Sequence, residues 1–276
     1  MEYTQEALWT LLSIYTKEPL SKNRIEFLFD TVFQFEKKYS RFIKGNFLDT
    51  LNATGKERLD DELLTLIRIS KAIHKQSKGF FDITLLPVLE NLWYGISQEK
   101  LKKGWNMNDI VLWDTYIELL SDVKIDLWGI GKWYLIDKLY SLLEKDVSEC
   151  IINFWGDIRV KWRHTVWLED PLRSNQLIWK IEIENLSFCA SSWEKRKMWN
   201  SHHLINPLTA ESQHDKLWVF TTHSFATYAD IYATTLFVAP LNEAIEILNK
   251  TQWLEAMIIA KNGEIYMSTW MNAELF

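Results

Sequence analysis

Between Lys124 and Asp137 the chain reads Lys-Ile-Asp-Leu-Trp-Gly-Ile-Gly-Lys-Trp-Tyr-Leu-Ile-Asp, and this run constrains the fold more than any other. The stretch ahead of Asp126 predicts a strand ending at the carboxylate. A glycine-containing turn follows, and Leu135, Ile136, Leu139, Leu142 and Leu143 predict one face of a helix from Gly131 to about Lys145. A helix N-terminus has free backbone N–H groups and a local positive potential, and glycines let the backbone approach a ligand closely. The place suits a pyrophosphate, although many α/β turns hold glycines and spacing alone does not identify one.

The rest of the chain supplies a mixture of elements. Ile25, Leu28, Phe29, Val32 and Phe33 predict a helix over 23–38, and Leu59, Leu63, Leu64, Ile67 and Ile73 another over 58–76. A fourth is expected over 241–249. Strands are expected at Cys150–Asn153, Asp157–Val160 and Trp179–Ile183. A hairpin is expected from Met257–Ala260 to Glu264–Met267, turned by Asn262-Gly263. Helices and hairpins without strict βαβ alternation predict an α+β fold, in which mixed helices pack on antiparallel or mixed sheets. No repeat or Pro-rich linker divides the 276 residues, so we expect one domain over 1–276, composed at most of two intimate subdomains.

Composition narrows the classes. A net charge of −6 with no Lys/Arg cluster argues against nucleic acid. No apolar run approaches the roughly 18 residues of a membrane span, so no transmembrane segment is expected. Met1–Glu6 shows neither a basic n-region nor a long apolar stretch, and a cytoplasmic location is expected. Cys150 and Cys189 lack metal-ligand spacing and are expected as buried thiols.

Several further segments carry candidate chemistry. Gly79-Phe80-Phe81-Asp82-Ile83-Thr84 continues through Pro87 to Leu92-Trp93-Tyr94-Gly95, and on its own reads as a strand-turn with a buried aromatic pair. Ile151-Ile152-Asn153-Phe154-Trp155-Gly156-Asp157-Ile158 is a hairpin pattern. Ala190-Ser191-Ser192-Trp193 leads on to Ser201-His202-His203-Leu204-Ile205-Asn206-Pro207-Leu208-Thr209-Ala210, where two adjacent histidines on a polar loop are, by themselves, more often solvated or structural. In Tyr228–Leu236, Asp230 and Thr234 are four apart and share a helix face, an arrangement that elsewhere marks only a helix N-terminus.

Taken in order, these segments resemble the FAD:protein FMN transferases of the ApbE family. Ile125–Asp137 is similar to the family's IDLGGIAKGYAVD phosphate turn without a gap, and Ile151–Ile158 to LVNLGGDI. Ala190–Ala210 is similar to ATSG…HHIIDPRTG, and the segment around Asp230 to ADALATAL. Tyr39-Ser40-Arg41-Phe42 to Leu51-Asn52 and a fainter opening strand at Ala7–Thr10 extend the likeness over residues 7 to 240. Asn206 and Ala210 depart from the family's Asp and Gly, and Tyr94 from another glycine.

The resemblance implies Mg²⁺-dependent transfer of FMN from FAD to a Thr or Ser hydroxyl of an acceptor flavoprotein, with AMP released. It implies His203 as general base, an imidazole being suited to proton transfer near neutral pH. It implies Phe81, Asp82, Asp126, Lys132, Asn153, Gly156 and Ile205 at the flavin nucleotide. It implies Mg²⁺ at Asp230, Thr234, the Ala233 region and a backbone oxygen near Gly129, hard oxygen ligands of the kind this ion takes. Family members are often exported or membrane-attached. Two other readings of the same residues are an FAD pyrophosphatase, with water as acceptor, and a flavin-binding or structural relative without activity.

One feature opposes the resemblance. Trp9, Trp128, Trp133, Trp155 and Trp193 occupy family glycine positions, and Trp162, Trp167 and Trp199 are expected to do the same; Trp93 matches a family aromatic. The chain has 15 Trp and 9 Gly, where ordinary usage gives about 7% Gly, or roughly 19. Reading those eight as glycine brings Gly from 9 to about 17. Such a pattern is expected of a gene that uses UGA for glycine and is translated with a table that reads it as tryptophan.

Overall fold

Caps and periodicity set the helices. Ser21 accepts the Arg24 N–H and opens α1, Lys22–Tyr39, whose Leu28, Val32, Phe35 and Tyr39 are buried. Asn46 caps α2, Phe47–Thr54, which ends at left-handed Gly55. Strand β3 is Lys56–Arg58. Asp60 then accepts from Glu62 and Leu63 N–H and opens α3, Asp61–Gln76. This helix starts after the expected residue 58 because Arg58 pairs in β3 and Asp60 must stay extended to cap.

The computed structural model describes residues 1–94, 105–169, 177–192, 197–198, 201–202, 204–251, 253–271 and 273–275. Ahead of β3 lie β1, Glu2–Ala7, and β2, Thr10–Thr16. After α3 come α4, Leu86–Tyr94, β4, Ile110–Leu112, β5, Tyr116–Leu119, and α5, Trp128–Leu143. Next are β6, Cys150–Phe154, β7, Asp157–Lys161, β8, Arg163–Glu169, β9, Leu177–Glu184, and β10, Ser187–Ser192. Four two-residue strands follow: β11, Lys197–Met198, β12, Ser201–His202, β13, Ile205–Asn206, and β14, Glu211–Ser212. The chain closes with β15, Lys216–His223, α6, Ala226–Val238, α7, Leu241–Lys250, β16, Glu255–Ala260, β17, Ile265–Met267, and β18, Ala273–Leu275.

The frame is an eight-stranded antiparallel sheet in the order β1-β2-β6-β7-β10-β15-β16-β17. Its side chains alternate between two cores, as the period of a strand requires. Leu12, Ile14, Ile152, Phe154, Val219 and Ile258 face the helices α1, α3, α5 and α6. Phe188, Phe220, Met257 and Ile259 face the other way, onto the three-stranded sheet β18-β9-β8 through Leu168, Trp179, Ile181 and Ile183. The fold is α+β, with helices on one face and a small sheet on the other. Among the described residues no helix is long and apolar enough to cross a membrane.

Three expectations are corrected. No regular strand precedes Asp126: the segment is held by Asn52, which accepts the Ile125 N–H and donates to the Ile125 carbonyl, and by an Asp126 N–H bond to Ile83 O. The helix expected from Gly131 opens at Trp128, because the residues read as a turn already take helical geometry. Ala7–Thr10, expected as a strand, is instead the β1–β2 hairpin turn, with Leu8 and Trp9 at φ of 50° and 62°. The hairpin expected at 257–267 forms around Gly263, whose φ is 87°.

Candidate active site

The start of α5 lacks a conventional cap, since Leu127 has no acceptor side chain. Asp126 takes that place: its Oδ1 accepts the Trp128 N–H at 3.1 Å and its Oδ2 accepts from Arg41 Nη1 at 2.7 Å. Burial raises the Asp126 pKa, and the Arg41 charge opposes the rise. On the next turn, Lys132 donates to Asp157 Oδ2 at 2.5 Å, and Asp157 Oδ1 accepts the Ala190 N–H. Each cation is thus fixed by a carboxylate rather than left to sweep solvent.

Helix α6 forms the facing wall. Ala226, Ala229 and Ala233 are buried, which seats the helix closely, and Asp230 is 2% exposed. Thr234 lies one turn further on, its hydroxyl 3.4 Å from that of Ser191. One ligand atom each of Asp157, Cys189 and Asp230 lie within 4.8 Å of one another. Burial pushes the Cys189 thiol well up, and the Asp157 and Asp230 charges add to that. The buried Asp230 carboxylate and, one helical turn on, the half-buried Thr234 hydroxyl are hard oxygens that fit Mg²⁺.

Both walls enclose one cavity of about 420 Å³. Of the expected residues, Phe81, Asp82, Asp126, Gly129, Lys132, Gly156, Ile205, Asp230 and Thr234 line it. Phe80 and Phe81 are the expected buried aromatic pair, though outside any strand. Burial raises the Asp82 pKa, opposed by the Thr84 hydroxyl and N–H. Asn153 and Ala233 do not line the cavity: Asn153 Oδ1 accepts the Gly156 N–H across the hairpin turn, and Ala233 is wholly buried. His203 and Trp193 lie outside the described residues, while Leu204 and Ile205 next in sequence line the cavity. Arg41 and Asp157 were not singled out from sequence. Their signal lay in the segments already quoted, where each is the charge opposite to Asp126 or Lys132.

The tryptophans answer to backbone geometry. Trp9, Trp155 and Trp162 have φ of 62°, 53° and 83°, where a Cβ is strained and glycine is the default. Leu8-Trp9 and Trp155-Gly156 are two-residue hairpin turns with φ positive at both positions, the requirement that favours Asn-Gly. Ala210, at a family glycine position, has φ of 59°. Trp9, Trp128, Trp133, Trp155 and Trp167 all line the cavity, whereas Trp162 does not. Trp9 is 76% exposed and leans on Phe42, which meets Trp128 edge-on. Trp133 is buried, and its indole N–H finds no hydrogen-bond acceptor among the described residues.

Solved structures share this architecture. The ApbE protein of Thermotoga maritima superposes with a TM-score of 0.84 at 21% identity, covering 98% of this chain and 97% of its own. The apo form of the Pseudomonas stutzeri flavinyl transferase ApbE gives 0.85 at 15% identity, covering 98% and 94%. In sequence, an FAD:protein FMN transferase of Klebsiella pneumoniae is 22% identical over 289 aligned positions, 94% of this chain and 88% of the relative. The ApbE family profile matches residues 9–258. This chain belongs to the ApbE family.

Proposed function

We propose that the protein transfers FMN from FAD to a threonine or serine hydroxyl of an acceptor flavoprotein, releasing AMP. One observation carries the reading: the α5 N-terminus with Lys132, and the α6 oxygens Asp230 and Thr234, line the same cavity. A diphosphate between them would meet helix N–H groups on one side and a metal site on the other.

The acceptor hydroxyl oxygen attacks the flavin-side phosphorus, and the bond to the AMP phosphate oxygen breaks. AMP leaves with that electron pair, and the hydroxyl proton passes to the imidazole of His203, a role taken from the family resemblance. Phosphoryl-type transfer depends on positioning and charge neutralisation more than on covalent chemistry. Asp230 and Thr234 would hold Mg²⁺, which neutralises pyrophosphate charge when bound. Lys132, set by Asp157, and the Asp126-capped turn orient the dinucleotide.

The natural residues at 9, 128, 133, 155 and 193 are, on this reading, glycines. The left-handed backbone at Trp9 and Trp155 and the Trp133 indole N–H, which has no acceptor among the described residues, support it. The test of function is product analysis with FAD, Mg²⁺ and an acceptor protein, using the chain with those five positions set to glycine. Stoichiometric AMP with FMN bound covalently to the acceptor is expected. Free FMN with AMP, with or without acceptor, would make the protein a pyrophosphatase.

A further inference from the structure

The phosphate-turn helix ends its motif on Asp137, to which the function above gives no role. Asp137 lies nine residues beyond Trp128, roughly 13 Å along the helix axis, and does not line the cavity. Its carboxylate is nevertheless committed to the opposite wall. Oδ1 accepts the Ala226 N–H at 2.8 Å, and Oδ2 accepts the Thr227 N–H at 2.9 Å and the Thr227 hydroxyl at 2.6 Å. Oδ1 also accepts from Arg159 Nη1 at 2.5 Å.

These bonds complete a helix that cannot complete itself. The N-cap of α6 is Phe225, which has no side-chain acceptor, and the first N–H groups of a helix have no intrahelical partner. A carboxylate from α5 caps α6 from another element, where it also meets the positive end of the α6 dipole. Arg159 carries the link to β7, its guanidinium lying over the rings of Tyr140 and Phe225. Two residues before Arg159, at the head of β7, is Asp157, the partner of Lys132.

We propose that Asp137 is a positioning residue that sets the register between the two walls of the site. By fixing Ala226 and Thr227 it fixes the turn of α6 that carries Asp230 and, one turn on, Thr234. A shift of about 1 Å at such a site can lower activity by 10²-fold, and second-layer partners of metal ligands are typically worth 10–100-fold in metal affinity. The inference rests on the reading of Asp230 and Thr234 as Mg²⁺ ligands.

The test is titration of the full chain and its Asp137→Asn variant with Mg²⁺ alone by calorimetry, beside Asp230→Ala. Amide hydrogen exchange of α6 and melting temperature are recorded for each. Asp137→Asn keeps the side-chain shape but sets N–H groups against donors. A roughly 10–100-fold higher Mg²⁺ concentration at half-saturation is expected, with faster exchange confined to the first turn of α6. An unchanged titration beside a lost one in Asp230→Ala overturns the proposal, even where the melting temperature falls. Should Asp230→Ala bind Mg²⁺ like the parent, the metal reading fails by itself; exchange at Ala226 and Thr227 then decides, faster supporting the register role and unchanged overturning it. If Asp137→Asn does not fold, Thr227→Val, which removes one of the four bonds, is read by the same criteria.

Discussion

The two walls of the cavity obey different rules. The α6 wall is a regular helix, with Ala226, Ala229 and Ala233 packed away and Asp230 and Thr234 lining the cavity. Every residue there suits its backbone. The α5 wall, with the hairpin turns beside it, carries Trp9, Trp128, Trp133 and Trp155 against the same space. At Trp9 and Trp155 the backbone takes a conformation that side chains resist. α6 contains no tryptophan, so the proposed codon misreading leaves its chemistry untouched, whereas the turns at Trp9 and Trp155 are where a glycine in place of tryptophan would relieve the backbone.

The largest effect should fall on the intact wall. Asp230→Ala or Thr234→Ala is expected to abolish transfer by the glycine-bearing chain with the melting temperature little changed, because the hard ligands are lost. Full Mg²⁺-dependent turnover by either variant would rule out the metal assignment. His203→Ala is expected to slow transfer by roughly 10²–10⁴-fold with FAD affinity nearly unaltered. If His202→Ala slows it instead, the base is the other histidine of the pair.

A smaller effect separates strain from obstruction. Trp155 and Trp162 both sit at positive φ, but only Trp155 lines the cavity. Trp162→Gly should stabilise the protein by about 1 kcal/mol, the cost of a left-handed residue, and leave FAD binding unchanged. Trp155→Gly should do both. Equal effects of the two on FAD affinity, by titration, would break the distinction between turn and site.

Much of the helical half was legible because periodicity is local: Lys22–Tyr39, Asp61–Gln76 and Leu241–Lys250 follow their apolar spacing closely. The β16–β17 hairpin was legible through Asn262-Gly263. The β1–β2 hairpin was not, because Leu8-Trp9 carries no turn signal as written; a glycine at position 9 would have supplied one. Asp230, Thr234, Asp126 and Lys132, which line the cavity, were legible as candidates because each belongs to a motif. Asp137, Asp157 and Arg41 were missed as partners because their contacts are long-range, Asp137 meeting residues 89 and 90 positions away and Arg41 one 85 away. Sequencing the gene would sharpen this further: TGA is expected at the glycine-like positions and TGG at Trp93, whereas TGG throughout would remove the misreading.

The most direct measurement is FAD titration, by flavin fluorescence with Mg²⁺ present, of two chains. One is the sequence as written, and the other carries glycine at positions 9, 128, 133, 155 and 193. Binding by the glycine chain, with little or none by the other, is the predicted result. Tight FAD binding by the chain with all five tryptophans in place would contradict it.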